Sequence, residues 1–156
     1  VLALALAAEE LAREVYRRAV AARPFRGPWA AYLEAALAQE EEHARRLREA
    51  LGRQPALRFR LPEVFQSPIL LLRLLESLEE AFVGAYLGAL PLLEGEALRL
   101  AGAILGVEAG HRVLVRQARL ELQDPLLRPP FVANDRALEQ ALSPEGAREA
   151  LKPYLP

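Results

Sequence analysis

Leu4, Ala8, Leu11 and Val15 recur at three- and four-residue intervals in a stretch free of glycine and proline, while Glu10, Arg13, Glu14 and Arg17 line another side. That pattern predicts an amphipathic helix over about 2–22, since both stripes repeat at the helical period. Glu9 lies off the polar stripe, among Ala5, Leu6, Ala12, Arg13 and Tyr16. It reads either as a solvated carboxylate near a helix start or as an inward-pointing one. The run Arg23-Pro-Phe-Arg-Gly-Pro28 breaks the pattern, and Pro28 suits the first turn of a new helix. This second helix is expected over about 29–51, its stripe made by Trp29, Leu33, Ala36, Leu37, Ala44, Leu47 and Leu51, with Gly52 as its stop. Glu40 and His43 fall inside that stripe, Glu42 falls outside it and Glu41 flanks it. Polar groups in an apolar stripe are costly unless they are paired or bound to something.

From Arg53 to Gln66 the pattern changes to an extended one, with Pro55, Pro62 and the alternation Leu57-Arg-Phe-Arg-Leu61. Such a segment could reach roughly 46 Å at about 3.3 Å per residue, the length of a long helix, so the next helix can run parallel to the second. Ser67 and Pro68 open a third helix over about 68–90, stopped by Pro91. Leu72, Leu75, Phe82, Val83 and Tyr86 surround Glu79 there, and Arg73, Glu76, Glu80 and Gly84 take the other face. A fourth helix is predicted over about 94–122, with Leu98, Ala101, Ile104, Leu105, Val115 and Ala118 around Glu108 and His111. The extension 123–156 is proline-rich and is expected to pack over the bundle, with short helices at Asp135 to Leu142 and Pro144 to Leu151. The fold class is therefore all-α: a four-helix bundle of two antiparallel hairpins joined by a long crossover, forming one domain over 1–156.

Composition narrows the chemistry. A chain of 156 residues that is 53% apolar is long enough for one substantial core. Its net charge of −1, with no long block of like charge, supplies no footprint for nucleic acid. Apolar runs are broken by charge before a membrane span is reached. The absence of cysteine removes disulfides, thiolate catalysis, iron–sulfur clusters and Cys-type zinc sites. The chain also lacks methionine, so the native start is expected to lie outside it, which leaves a cytoplasmic or an exported soluble protein open. Arginine greatly outnumbers the single Lys152, which points to a heat-adapted source with a GC-rich genome.

The two histidines, His43 and His111, each follow a glutamate by three residues, Glu40 and Glu108. Three residues is close to one helical turn, so each carboxylate and imidazole share a face. Upstream of each pair stands a single glutamate with a tyrosine seven residues on: Glu9 with Tyr16, and Glu79 with Tyr86. The chain thus reads as two similar halves, whose pairing would bring four carboxylates and two imidazoles around one cavity. Two divalent ions carry four positive charges that four carboxylates neutralise, and one imidazole per metal completes an oxygen-rich set. Such a set favours iron or manganese, with zinc or copper as substitutes. For Tyr16 and Tyr86, core packing is the leading expectation and hydrogen bonding to a metal ligand the second.

These residues resemble the ferritin-like superfamily, and within it the single-domain branch that includes desiccation-related proteins. Leu78-Glu-Glu-Ala-Phe-Val-Gly-Ala-Tyr-Leu-Gly-Ala89 and Ile104-Leu-Gly-Val-Glu-Ala-Gly-His111 are similar to that branch's third and fourth helices, and Ala5-Leu-Ala-Ala-Glu-Glu-Leu-Ala-Arg-Glu-Val-Tyr16 to its first. The segments Pro130-Phe, Leu142-Ser-Pro and Pro153-Tyr-Leu are similar to its C-terminal extension. The resemblance implies Glu9, Glu40, His43, Glu79, Glu108 and His111 as metal ligands. It implies little about activity, because the fold hosts storage proteins, oxidases, peroxidases and inert members. Without cysteine the chain departs from the rubrerythrin pattern, having no rubredoxin module, and a redox cycle would need an external electron donor.

The expected function is a di-iron or di-manganese protein that reacts with oxygen or peroxide, ferroxidase-like or peroxide-removing, in stress defence. A second expectation is a non-catalytic stress-related protein whose metal ties the helices together. Cage-type iron storage would require a large oligomer, whereas a homodimer is compatible with the other readings.

Overall fold

The computed structural model describes residues 1–52 and 54–155; Arg53, at the start of the expected crossover, and Pro156, at the end of the extension, lie outside the described residues. Four long helices dominate: α1 (Leu2–Ala22), α2 (Pro28–Leu51), α3 (Pro68–Ala89) and α4 (Gly95–Glu121). A short helix α5 (Pro144–Leu151) comes after them, with single 3-10 turns at Leu90–Leu92 and Lys152–Tyr154. No strand occurs among the described residues.

Each boundary has a local cause. Arg23 ends α1 in the left-handed region at φ 52°, where its N–H reaches the Ala19 carbonyl. Pro28 occupies the first turn of α2, where its missing N–H costs nothing, and Gly52 closes that helix at φ 73°. Ser67 and Ser143 cap α3 and α5 by accepting hydrogen bonds from the N–H groups of Leu70 and Gly146.

The buried apolar side chains fall into two groups. One gathers Leu11, Val15, Leu33, Leu71, Leu75 and Val115; the other gathers Leu6, Ala44, Leu47, Tyr86, Ala101 and Ile104. Each fully buried leucine contributes about 1.5–3 kcal/mol through removal from water. The first group draws on the starts of α2 and α3, and the second on their later turns, so these two helices run parallel, as the crossover predicts. Hairpin α1–α2 therefore docks on hairpin α3–α4, and the polar positions of all four helices lie between the two apolar groups.

The tail covers the face of α3 turned away from that polar centre. Leu142 donates its N–H to the Gly84 carbonyl at 2.8 Å, and a Cβ on Gly88 would collide with the Leu142 carbonyl. Beneath it Glu76 accepts from Arg116 at 2.8 Å and from Arg119, while Arg73 and Arg119 both donate to Asp124. Arg116 also bonds the Ala133 carbonyl and Asp135, and Arg112 bonds Glu139 at 2.6 Å. The Arg73 guanidinium foremost, with the Leu126 N–H and Arg119, holds the Asp124 carboxyl well below the usual carboxylate range.

Two sequence expectations need correction. Asp135 to Leu142 is not a helix. Its Asp135 and Glu139 carboxylates are taken by arginines of α4 and its last N–H by Gly84, so the segment is strapped down by the bundle rather than by its own i→i+4 bonds. A helix that short does not hold itself in water. Leu98, placed in the inner stripe of the fourth helix, is instead 39% exposed, because the buried line Ala101, Ile104, Glu108 and His111 continues toward the half-buried Ala97 in that first turn.

Candidate metal centre

Each helix brings its share of the centre at mid-length. α1 supplies Glu9, α2 supplies Glu40 and His43 one turn apart, α3 supplies Glu79, and α4 supplies Glu108 and His111 one turn apart. All six are buried, four of them wholly, and His43 is the most exposed at 8%. Of the three consecutive glutamates, Glu40 is buried, whereas Glu41 and Glu42 are exposed and Glu42 bonds Arg45.

The six side chains form two overlapping groups. Glu9, Glu40, His43 and Glu108 make one, and Glu40, Glu79, Glu108 and His111 the other, with one ligand atom per residue all within 4.8 Å of one another. Glu40 and Glu108 belong to both. His43 Nδ1 lies 3.1 Å from Glu9, 3.5 Å from Glu40 and 3.0 Å from Glu108. His111 Nδ1 lies 3.0 Å from Glu40, 3.6 Å from Glu108 and 3.8 Å from Glu79. Both imidazoles thus aim the same nitrogen inward.

Of these approaches only His43 Nδ1 to Glu9, at 3.1 Å, is a hydrogen bond. Both oxygens of Glu40, both of Glu108, Glu79 Oε2 and His111 Nδ1 are buried with no hydrogen-bond partner. Leaving one such group unmade costs about 1–3 kcal/mol, more for charged ones, so six atoms orphaned together call for a common partner. Atoms that approach to 3.0 Å without hydrogen-bond alignment converge on a shared point rather than on one another.

Protonation follows from the same crowding. Burial, with the Glu108 and Glu40 charges behind it, raises the Glu9 and Glu79 carboxyls well above the usual range. Burial alone would also raise Glu108, yet the two imidazoles pull it down to about 2. For the histidines burial opposes the cation, but the surrounding carboxylates prevail and push His43 up to about 12 and His111 up to about 9. In the absence of metal the imidazoles serve as the cations of the site.

The tyrosines do more than fill the core. Tyr16 on α1 donates to Glu79 on α3 at 2.5 Å, and Tyr86 on α3 donates to Glu9 on α1. Two neighbours are not signalled as site residues by the sequence pattern. Gln39 Oε1 lies 2.8 Å from His111 Nε2, and Tyr32 shares a 2.9 Å hydrogen bond with Tyr16. Tyr32 stands on the same helical line as Ala36 and Glu40, which is the signal that could have found it; Gln39 carries none.

No match to a curated protein or to a solved structure was found. The family model described as a ferritin-like domain matches residues 1–121, the segment that contains all four long helices and all six converging groups, and the chain belongs to the ferritin-like family.

Proposed function

We propose that the chain holds two divalent metal ions, iron or manganese, and reacts with oxygen or peroxide as a ferroxidase-like or peroxide-removing protein. The observation that carries this reading is the set of buried, unpartnered carboxylate and imidazole atoms converging from all four helices. Four carboxylates offset the charge of two divalent cations and the imidazoles add nitrogen donors, so the residues fit the group. Glu9 and His43 would hold one ion, Glu79 and His111 the other, and Glu40 and Glu108 would be shared. The bound pair would supply electrons to an oxidant and polarise it.

The chain's own groups do the rest. Tyr86 and Tyr16 fix the orientation of Glu9 and Glu79 by donating to one oxygen of each. Donation from His111 Nε2–H to Gln39 leaves the Nδ1 lone pair facing the centre. Burial of all six groups keeps bulk water out and strengthens every charge interaction inside. These 156 residues hold no cysteine, so electrons would come from a donor outside them.

Metal analysis with anaerobic Fe(II) loading and subsequent exposure to oxygen or peroxide tests the reading. Binding near two ions per chain with oxidation of both is the expected result. Absence of stoichiometric binding defeats the site, and binding without oxidation defeats the chemistry alone. One observation favours a second reading, a structural metal that ties the helices: all six groups are buried and they come from four different helices. On that reading Glu79→Ala lowers the melting temperature and no turnover exists to lose.

A further inference from the structure

The two halves of the bundle are not equivalent around the centre. Under the repeat that maps Glu40 onto Glu108 and His43 onto His111, the positions matching Trp29, Tyr32 and Gln39 are Ala97, Leu100 and Val107. Among the described residues, the half that carries Tyr16 continues outward in aromatic side chains. Trp29 meets Tyr32 edge-on with ring centres 6.1 Å apart; Tyr32 meets Tyr16 at 6.3 Å and His111 at 6.0 Å; Tyr16 lies 5.8 Å from His111. Tyr16 is wholly buried, while Tyr32 and Trp29 are partly exposed, and the Trp29 indole N–H donates to Glu121 at the surface. The hydroxyls continue the line inward: Tyr32 to Tyr16 at 2.9 Å, and Tyr16 to Glu79 at 2.5 Å.

We propose that Trp29, Tyr32 and Tyr16 form a one-electron relay joining the protein surface to the candidate metal centre at its Glu79–His111 end. Tunnelling weakens steeply with distance, so rings in direct contact replace one long transfer by several short ones. A phenol gives up an electron readily only when its proton can leave too, and each phenol here has an acceptor in place. Tyr16 gives one electron inward and its hydroxyl proton to Glu79 Oε1, breaking the O–H bond. Tyr32 restores that bond by passing an electron and its own proton to Tyr16. Trp29 passes an electron to the Tyr32 radical, which takes a proton from solvent. A one-electron reductant of the hydroquinone class, meeting Trp29 at the surface, refills the indole. In sum the reductant loses one electron, the oxidised centre gains one, one proton is delivered to Glu79 and one is taken from solvent.

The use of this relay rests on the proposed redox function, but the transfer itself can be measured without it. The full chain is loaded with zinc, which has no redox chemistry, in a Tyr154→Phe background, and Trp29 is oxidised by a light-driven ruthenium polypyridyl oxidant. The expected result is an indole radical that decays as a tyrosyl radical rises, seen by transient absorption and by electron paramagnetic resonance. Tyr32→Phe keeps the ring and removes the hydroxyl, and should abolish the tyrosyl signal and prolong the indole radical. Trp29→Phe should abolish the fast phase of tyrosyl formation. Helix content and melting temperature confirm that each variant folds. A tyrosyl yield unchanged by Tyr32→Phe, or an indole radical that decays with no tyrosyl formed, overturns the relay. Failure of iron oxidation with zinc-phase transfer intact would instead count against the redox function alone.

Discussion

Tyr86 on α3 donates its phenolic hydrogen to Glu9 on α1, so a side chain of the second hairpin fixes a carboxylate of the first. Tyr16 and Glu79 repeat the relation in the opposite direction. Tyr86→Phe leaves a buried carboxylate oxygen without its donor at nearly unchanged volume. The metal-loaded variant should lose about 1–3 kcal/mol of stability. A thermal melt should show this as a midpoint lower by roughly 2–12 °C for a chain of this size.

Glu40 and Glu108 sit in both groups, whereas Glu9 and Glu79 each sit in one. Glu108→Gln should therefore disturb both metal positions, and Glu9→Gln one. Metal content after loading with excess manganese should fall well below one ion per chain in the first variant and to near one in the second. Equal losses in the two variants would contradict the sharing of Glu108.

Proton linkage gives the metal-free protein a defined pH dependence. His111 rises from an ordinary 6.5 to about 9 on folding, so the stability it contributes is full below about pH 6.5 and is lost as pH climbs through about 9. His43, raised to about 12, extends the same trend, and the raised Glu9 and Glu79 also favour the protonated fold. Glu108, lowered to about 2, acts in the opposite sense but only in acid, where its contribution is lost as pH falls. Denaturant midpoints of metal-free protein should fall between about pH 6.5 and about pH 9. Manganese(II) requires neutral imidazoles and so binds better as pH rises, and it should flatten or reverse that fall.

Gly88 has no room for a side chain, since a Cβ there would meet the Leu142 carbonyl of the tail. Gly88→Ala should cost about 1–3 kcal/mol through overpacking and should loosen the tail, read as faster proteolysis between α4 and α5. Gly106, in the middle of α4, faces open space, and Gly106→Ala should stabilise by about 0.5–1 kcal/mol. The opposed signs of two identical substitutions isolate the contact from helix propensity.

The long helices were legible because their apolar positions keep the helical period over several turns, with Pro28, Gly52, Ser67 and Pro68 marking the ends. The six converging residues were legible because they interrupt those stripes at matching intervals in both halves. Asp135 to Leu142 was not, since its conformation is set by Arg112, Arg116 and Gly84, residues distant in sequence. Helical periodicity also does not reveal partners across helices: the Gln39–His111 and Tyr16–Tyr32 hydrogen bonds depend on how the helices pack.

The sharing of Glu40 and Glu108 between two groups bears on the order of assembly. The first hairpin owns Glu9, Glu40 and His43, and the second owns Glu79, Glu108 and His111, yet each four-residue group borrows one carboxylate from the other hairpin. Contacts within a hairpin are local and close fast, whereas docking the hairpins must wait for the crossover to span the bundle. An ion captured early by three groups of one hairpin would then need a single further carboxylate, offered only when its counterpart arrives. Metal would act as a template for the last folding step, and docking of the hairpins should be faster when it is present than when it is not.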